Sequence, residues 1–163
     1  MIRTYTNPRS ASSAAERSFR QLIRNYGLIE RVMQPYFARF GISGAQWGFL
    51  RNLHRAEMEG HPGLRLTDLS RRMLIRPPSV TGIADRLEKA GLIVRRASET
   101  DGRAKQAGLT EKGRHLVETV LVGHPAQIGR LMGGLDTEEQ EQLDRLLVRM
   151  GEQLAVLAEG AED

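Results

Sequence analysis

The residues best placed to meet another molecule lie in "ASETDGRAKQAGLTEKGR", residues 97–114. Asp101-Gly102 is a turn signal, because a two-residue turn needs positive φ and Gly supplies it cheaply. Upstream, "LIVRR" reads as a short strand. Downstream, Thr110 suits a helix N-cap, with Glu111 in the first turn, where the helix dipole favours an anion. The segment therefore reads strand, charged tip, strand, helix, and the tip holds Arg103 and Lys105 out in solvent. The chemistry open to such a finger is ion pairing with a polyanion. A hairpin is marginal alone and must pack on something.

Other chemistries find little support. The chain has no cysteine, which removes disulfides, thiolate metal sites and cysteine redox sensing. His54, His61, His115 and His124 are scattered, without the i, i+4 pairing or mixed ligand set of a metal site. There is no Gly-rich phosphate loop and no G-x-S-x-G elbow, and the carboxylates fall on the expected solvent faces of the terminal helices. The expectation is a protein that is not an enzyme and needs neither cofactor nor metal. No apolar run approaches the ~18 residues of a membrane span, and "MIRTYTNPRS" lacks the apolar centre of a signal peptide. A cytoplasmic protein with no membrane partner is expected.

Charge is unevenly spread. The formal net charge of +4 divides into +5 over residues 1–63, +6 over 64–115 and −7 over 116–163. A basic middle followed by an acidic end suits a chain that presents one segment to a polyanion and keeps another away. Charge runs of this size are also ordinary solvated faces, so the asymmetry alone decides nothing.

Several elements must position the finger. Residues 1–13 are polar and read as a flexible arm. From Ala14 to Phe40 a helical rhythm runs through Phe19, Leu22, Ile23, Tyr26, Ile29, Met33, Tyr36 and Phe37, with Gly27 weakening it and Pro35 expected to kink it. Ser43 with Gln46 predicts a capping box, with Ile42 and Trp47 spaced as a staple, opening a helix whose apolar face is Trp47, Leu50 and Leu53. "EGHPG" breaks the chain at 59–63. In "LTDLSRRML" Thr67 stands at a capping position, with Leu66, Leu69 and Met73 inward. Pro77-Pro78 fit the first turn of a second short helix bearing Val80, Ile83 and Leu87, which Gly91 ends. After the hairpin, residues 111–133 read as a helix interrupted by "GHP" at 123–125. A last helix begins at Asp136, boxed by Glu139, and carries Leu143, Leu146, Leu147, Met150, Leu154 and Leu157.

The order helix, helix, short helix, short helix, hairpin is that of a winged helix-turn-helix. Its second short helix fits the B-DNA major groove, about 12 Å wide, and the hairpin is a wing able to reach phosphates or the minor groove. The fold class expected is mainly α: a winged helix-turn-helix lobe with a β-hairpin wing, plus N- and C-terminal helices forming a dimerisation domain. The expected parts are an N-terminal arm (1–13), supporting and dimerising helices (14–58), the DNA-binding lobe (64–110), C-terminal dimerisation helices (111–158) and a tail (159–163).

Residues 66–113, "LTDLSRRMLIRPPSVTGIADRLEKAGLIVRRASETDGRAKQAGLTEKG", resemble the MarR-type transcriptional regulators without a gap. The most specific part is the wing tip, Asp101 and Arg103, followed at fixed distance by "LTEKG". The resemblance implies a homodimer with interlocked terminal helices that binds pseudo-palindromic double-stranded DNA. It further implies a repressor released by a small aromatic or phenolic ligand. Carried over by position, Ser79 and Thr81 match the start of the recognition helix and Arg86 its later basic position. Arg96 and Arg103 match the wing arginines, Lys105 adds charge beside them, and Asp101 matches the carboxylate that orients an arginine. Two departures affect the operator preferred. Gly82 stands where many relatives carry a larger, often basic side chain, and Arg76 stands where a capping Ser is common. Gln106-Ala107-Gly108 is also a weak β-former, so the return strand is expected to fray.

Each assignment has a plainer alternative. Ser79 and Thr81 could only cap their helix, Arg86 could only pair with a carboxylate, and Arg71 and Arg72 suit solvent or phosphate better than bases. Met33, Tyr36, Phe37 and Trp47 read as core and packing residues, or, more sharply, as the walls of an effector pocket. Leu143, Leu146, Leu147, Met150, Leu154 and Leu157 are the expected dimer face. Two rival functions stay open: a winged-helix protein-interaction module, and a ligand-independent activator or architectural DNA-binding protein.

Overall fold

A computed structural model describes residues 13–97 and 105–160. Its described residues form six helices and a three-stranded antiparallel sheet, and the chain divides after Val120 into two compact units.

The first unit opens with α1, Ala14–Ala38. Its start is a capping box: the Glu16 N–H donates to Ser13 Oγ at 3.2 Å and the Ser13 N–H to Glu16 Oε2 at 2.8 Å. The helix passes through Pro35 without a break and ends before Gly41, at φ 71°. The expected box at Ser43 and Gln46 is present and starts α2, Gly44–Met58. Of this helix Trp47, Phe49, Leu50, Leu53 and Ala56 are buried. Each such large apolar side chain contributes roughly 1.5–3 kcal/mol on burial.

The next strand is absent from the sequence reading. Leu64–Arg65 forms β1 and leads directly into α3, Leu66–Met73. Thr67 therefore does not cap. Arg65 holds the N-cap position without a side-chain hydrogen bond, because the residues before the helix are already committed to the sheet. Leu74 closes α3 in the left-handed conformation, φ 53°, and stands fully in solvent. Buried Ser70 secures the turn beyond it, its hydroxyl donating to the Ile75 carbonyl at 2.6 Å. Pro77 and Pro78 then occupy the first turn of α4, Pro77–Lys89, where a missing N–H is harmless.

Strands β2, Ile93–Ala97, and β3, Lys105–Leu109, form the base of the wing. Contrary to the expected fraying, β3 is the central strand, in the order β1-β3-β2. It pairs with β2 from Ile93↔Leu109 to Ala97↔Lys105, and with β1 at Leu64↔Ala107 and Arg65↔Gln106. The small residues that look like poor β-formers are what this position requires. A Cβ on Gly108 would lie 2.8 Å from the Pro62 carbonyl oxygen, and one on Gly63 would lie 2.7 Å from that of Ala107. Close backbone approach selects them over β propensity.

After the wing, α5 spans Glu111–Met132 and α6 spans Thr137–Glu159. The interruption expected at Gly123-His124-Pro125 does not occur, and α5 continues through it. One proline removes one rung of the hydrogen-bond ladder, and the other rungs carry the helix past it. The capping box at Asp136 and Glu139 is formed, with both bonds at 2.9 Å. None of the residues of α6 is buried. Among the described residues, no helix is long and apolar enough to cross a membrane.

Candidate nucleic-acid interface

The two faces of α4 divide its residues by role. Val80, Ile83, Ala84 and Leu87 are buried, whereas Ser79, Thr81, Asp85 and Arg86 are exposed. Neither Ser79 nor Thr81 acts as a cap. The N-cap is Arg76, which makes no side-chain capping bond. The Thr81 hydroxyl donates to the Pro77 carbonyl at 3.1 Å, a bond along the helix that uses its proton and leaves its oxygen able to accept. Arg86 makes no ion pair among the described residues, so pairing with a carboxylate does not account for it. Its guanidinium instead reaches back along the helix, with Nη1 3.7 Å from where a Cβ on Gly82 would stand. The space released by Gly82 is thus next to an arginine from one turn later. Arg76 is likewise exposed at the N-terminal end of the helix.

The wing strand β2 carries two adjacent arginines turned to opposite faces, as strand alternation requires. Arg96 is exposed and lines an open cleft of about 630 Å³ with His61, Pro62, Val94, Gln106 and Arg114. Arg95 is turned in toward α4. Its Nη1 lies 2.8 Å from Asp85 Oδ1, its Nε donates to Glu88 Oε2 at 2.9 Å, and its backbone N–H donates to Glu88 Oε1 at 3.1 Å. Hydrogen bonding to Glu88, and then to Asp85, raises the pKa of Arg95 above its ordinary value against partial desolvation. The sequence reading passed over Arg95. The available signal was the spacing of Asp85 and Glu88, three residues apart and so on one helix face.

"LTEKG" at 109–113 is a joint, and each residue has a physical task. Leu109 is buried in the sheet. Thr110 caps α5, accepting from the Gly113 N–H at 3.0 Å while its hydroxyl donates to the Gly91 carbonyl at 2.7 Å. Glu111 meets Arg114 Nη1 at 2.8 Å, and Arg114 Nε also donates to Glu57 of α2 at 3.0 Å. The Lys112 ammonium donates to the Ala90 carbonyl at 2.8 Å, placing a cation on the C-terminal end of α4, where the helix dipole favours one. Gly113 allows the Leu92 carbonyl so near that a Cβ would stand 2.0 Å from its oxygen. Together these contacts fix where α4 ends relative to α5.

Asp101 and Arg103, with the Asp101-Gly102 turn, lie outside the described residues, as does the side chain of Lys105. Of the residues expected around an effector pocket, Tyr36, Phe37 and Trp47 come together. Met33, Tyr36, Phe37 and Trp47 are all buried; Phe37 stacks on Trp47 at 5.8 Å between ring centroids, and Tyr36 meets Phe37 edge-on at 5.5 Å. The Tyr36 hydroxyl donates to the Val120 carbonyl. Leu146, Leu147, Met150, Leu154 and Leu157 of the expected dimer face are exposed along α6 and Leu143 is half-buried. Among the described residues no three His, Asp or Glu side chains are grouped to hold a metal ion.

A helix-turn-helix joined to a three-stranded wing, with hydroxyl and guanidinium groups on the open face of its second helix, defines a winged-helix DNA-binding protein. A family model described as "MarR family" matches residues 40–104. The chain is 31% identical over 131 residues to the HTH-type transcriptional regulator MhqR of Bacillus subtilis (strain 168), covering 80% of this chain and 86% of that one. It is 32% identical over 124 residues to the HTH-type transcriptional repressor MdtR of the same organism, covering 76% and 77%. Among solved structures it resembles the organohalide-sensing transcriptional regulator RdhR-CbdbA1625 in its 2,4-dichlorophenol-bound form. There the TM-score is 0.77 at 20% identity, over 94% of this chain and 88% of that one. The chain belongs to the MarR family of DNA-binding transcriptional regulators, which are not enzymes.

Proposed function

We propose that the protein is a homodimeric cytoplasmic repressor of a pseudo-palindromic operator, relieved by a small aromatic or phenolic ligand. The observation that carries the DNA-reading part is the open face of α4, where Ser79, Thr81 and Arg86 stand exposed and Arg86 has no carboxylate partner among the described residues. In this reading the hydroxyls and the guanidinium over Gly82 address base edges, while Arg76, Arg96 and Lys105 contact phosphates. Arg103 enters the flanking minor groove, with Asp101 supporting the tip. The dimer is supported by the uncovered leucines of α6, together with Phe19, Ile23 and Tyr26 exposed on α1, since stripes of this kind mark an association surface. Repression is suggested by the relative named a repressor, and the ligand class by the neighbour holding a chlorophenol. A ligand at Met33, Tyr36, Phe37 and Trp47 would have to part rings that are now in contact.

The test is alanine at Thr81, with binding measured to operator and to unrelated duplex DNA. A base contact loses about 1–3 kcal/mol on the operator alone. Equal losses on both DNAs, or none on either, reject base reading by this residue.

A further inference from the structure

The exposed face of α4 carries an oddity for a surface meant to lie against phosphates: a carboxylate. Asp85 follows Thr81 by four residues, so the two share a face of the helix, and the Asp85 side chain is 55% exposed. Glu88, three residues on, is 36% exposed. Uncompensated, two negative charges on a helix that faces the DNA backbone would oppose binding to every sequence alike. Arg95 meets both of them. It comes from a different element, the wing strand β2, and it is turned away from solvent, with its side chain only 22% exposed. Its guanidinium spends Nη1 on Asp85 and Nε on Glu88, so little of its donor set faces outward. Its neighbour Arg96 is exposed instead.

We infer that Arg95 is a positioning residue that touches no phosphate: it serves as a shared counter-charge, offsetting one of the two negative charges of Asp85 and Glu88 so that α4 can approach the DNA backbone. This rests on the reading of α4 as the DNA-facing helix. Among the described residues the cations nearest these carboxylates in sequence, Arg86 and Lys89, make no ion pair with them, and the ion pairs described there come from the wing. It follows that the wing contributes to binding even apart from its tip, through a charge it never presents to DNA.

Three variants of the full-length protein test this on operator and on unrelated duplex DNA, across a salt series. Arg95→Gln should weaken binding to both DNAs by about tenfold at low salt, with the deficit closing as salt screens the exposed carboxylates. Arg95→Lys, which keeps the charge and loses the planar fork, should stay within about threefold of wild type. Arg95→Gln combined with Asp85→Asn and Glu88→Gln should recover to within about threefold, because no carboxylate is left to mask. A triple variant as weak as Arg95→Gln alone overturns the inference, for it would mean that Arg95 binds phosphate or braces the wing mechanically. Arg95→Gln with unchanged binding overturns it too. Should Arg95→Gln fail to fold, judged by circular dichroism, the lysine and triple variants decide between the same outcomes. Wild-type protein that binds no duplex DNA would instead refute α4 as a DNA-facing helix.

Discussion

Helices α4 and α6 both carry leucines at helical spacing, and the chain treats them oppositely. Leu87 of α4 is fully buried, with Val80 and Ala84 beside it. Leu146, Leu147, Leu154 and Leu157 of α6 stand 42–59% exposed, on a helix that buries no residue at all. The same sequence pattern thus serves two ends. In α4 the apolar side meets α2, α3 and β2 of its own chain. In α6 an equally regular stripe is exposed, and the proposed second copy would cover it. Periodicity identifies a face to be covered but not whose surface covers it.

Charging the exposed stripe of α6 has the largest expected effect. Leu146→Glu with Met150→Glu should weaken self-association by more than about a thousandfold, because a two-fold interface would bury each charge twice. Sedimentation velocity should show monomer in place of the dimer proposed for the wild type, and an unchanged mass would mean the stripe has another use. The next effect contrasts the two helices directly. Leu87→Ala should cost about 2–5 kcal/mol in urea unfolding, as a fully buried leucine leaves a cavity. Leu157→Ala, at 59% exposure, should cost the chain's own fold less than about 0.5 kcal/mol. Comparable losses at the two sites would mean that α6 is folded onto a core. The smallest effect is a gain. Leu74 holds a left-handed conformation at 91% exposure, so Leu74→Gly should relieve strain without losing a contact, raising stability by up to about 1 kcal/mol. A lower melting temperature would show that Leu74 is held in place by a contact that matters.

Much of this architecture could be read from local chemistry. The Ser43–Gln46 and Asp136–Glu139 boxes, the Pro77-Pro78 start of α4 and the Thr110 cap each depend on residues close together in sequence, and all are formed. What escaped the reading depends on distant partners. Strand β1 exists only because Leu64 and Arg65 find Ala107 and Gln106. Gly108 looked like a weak point until Pro62 came beside it. Nothing in the sequence alone sets Arg95 apart, and its pairing with α4 is visible only once strand and helix are packed. At the candidate site, Ser79, Thr81 and Arg86 are proposed from family resemblance and stand exposed on α4, whereas the Arg86–Gly82 arrangement depends on the folded helix.

The two rungs that join β1 to β3 also set an order in time. Leu64 pairs with Ala107, so α3, α4 and β2 all lie within the loop those rungs close. Closing a long loop is thermodynamically mild, since each doubling of length adds only about 0.6 kcal/mol, but it is impossible before both ends exist. A chain emerging from the ribosome can finish helix α4 well before residue 107 has left the exit tunnel, and until then the sheet lacks its central strand. Arg95 likewise sits on a strand whose hydrogen-bonding partner has yet to arrive. The reading face is therefore complete only at the end of the lobe's synthesis, and a truncated chain ending within the wing would carry the recognition helix without the sheet that aims it.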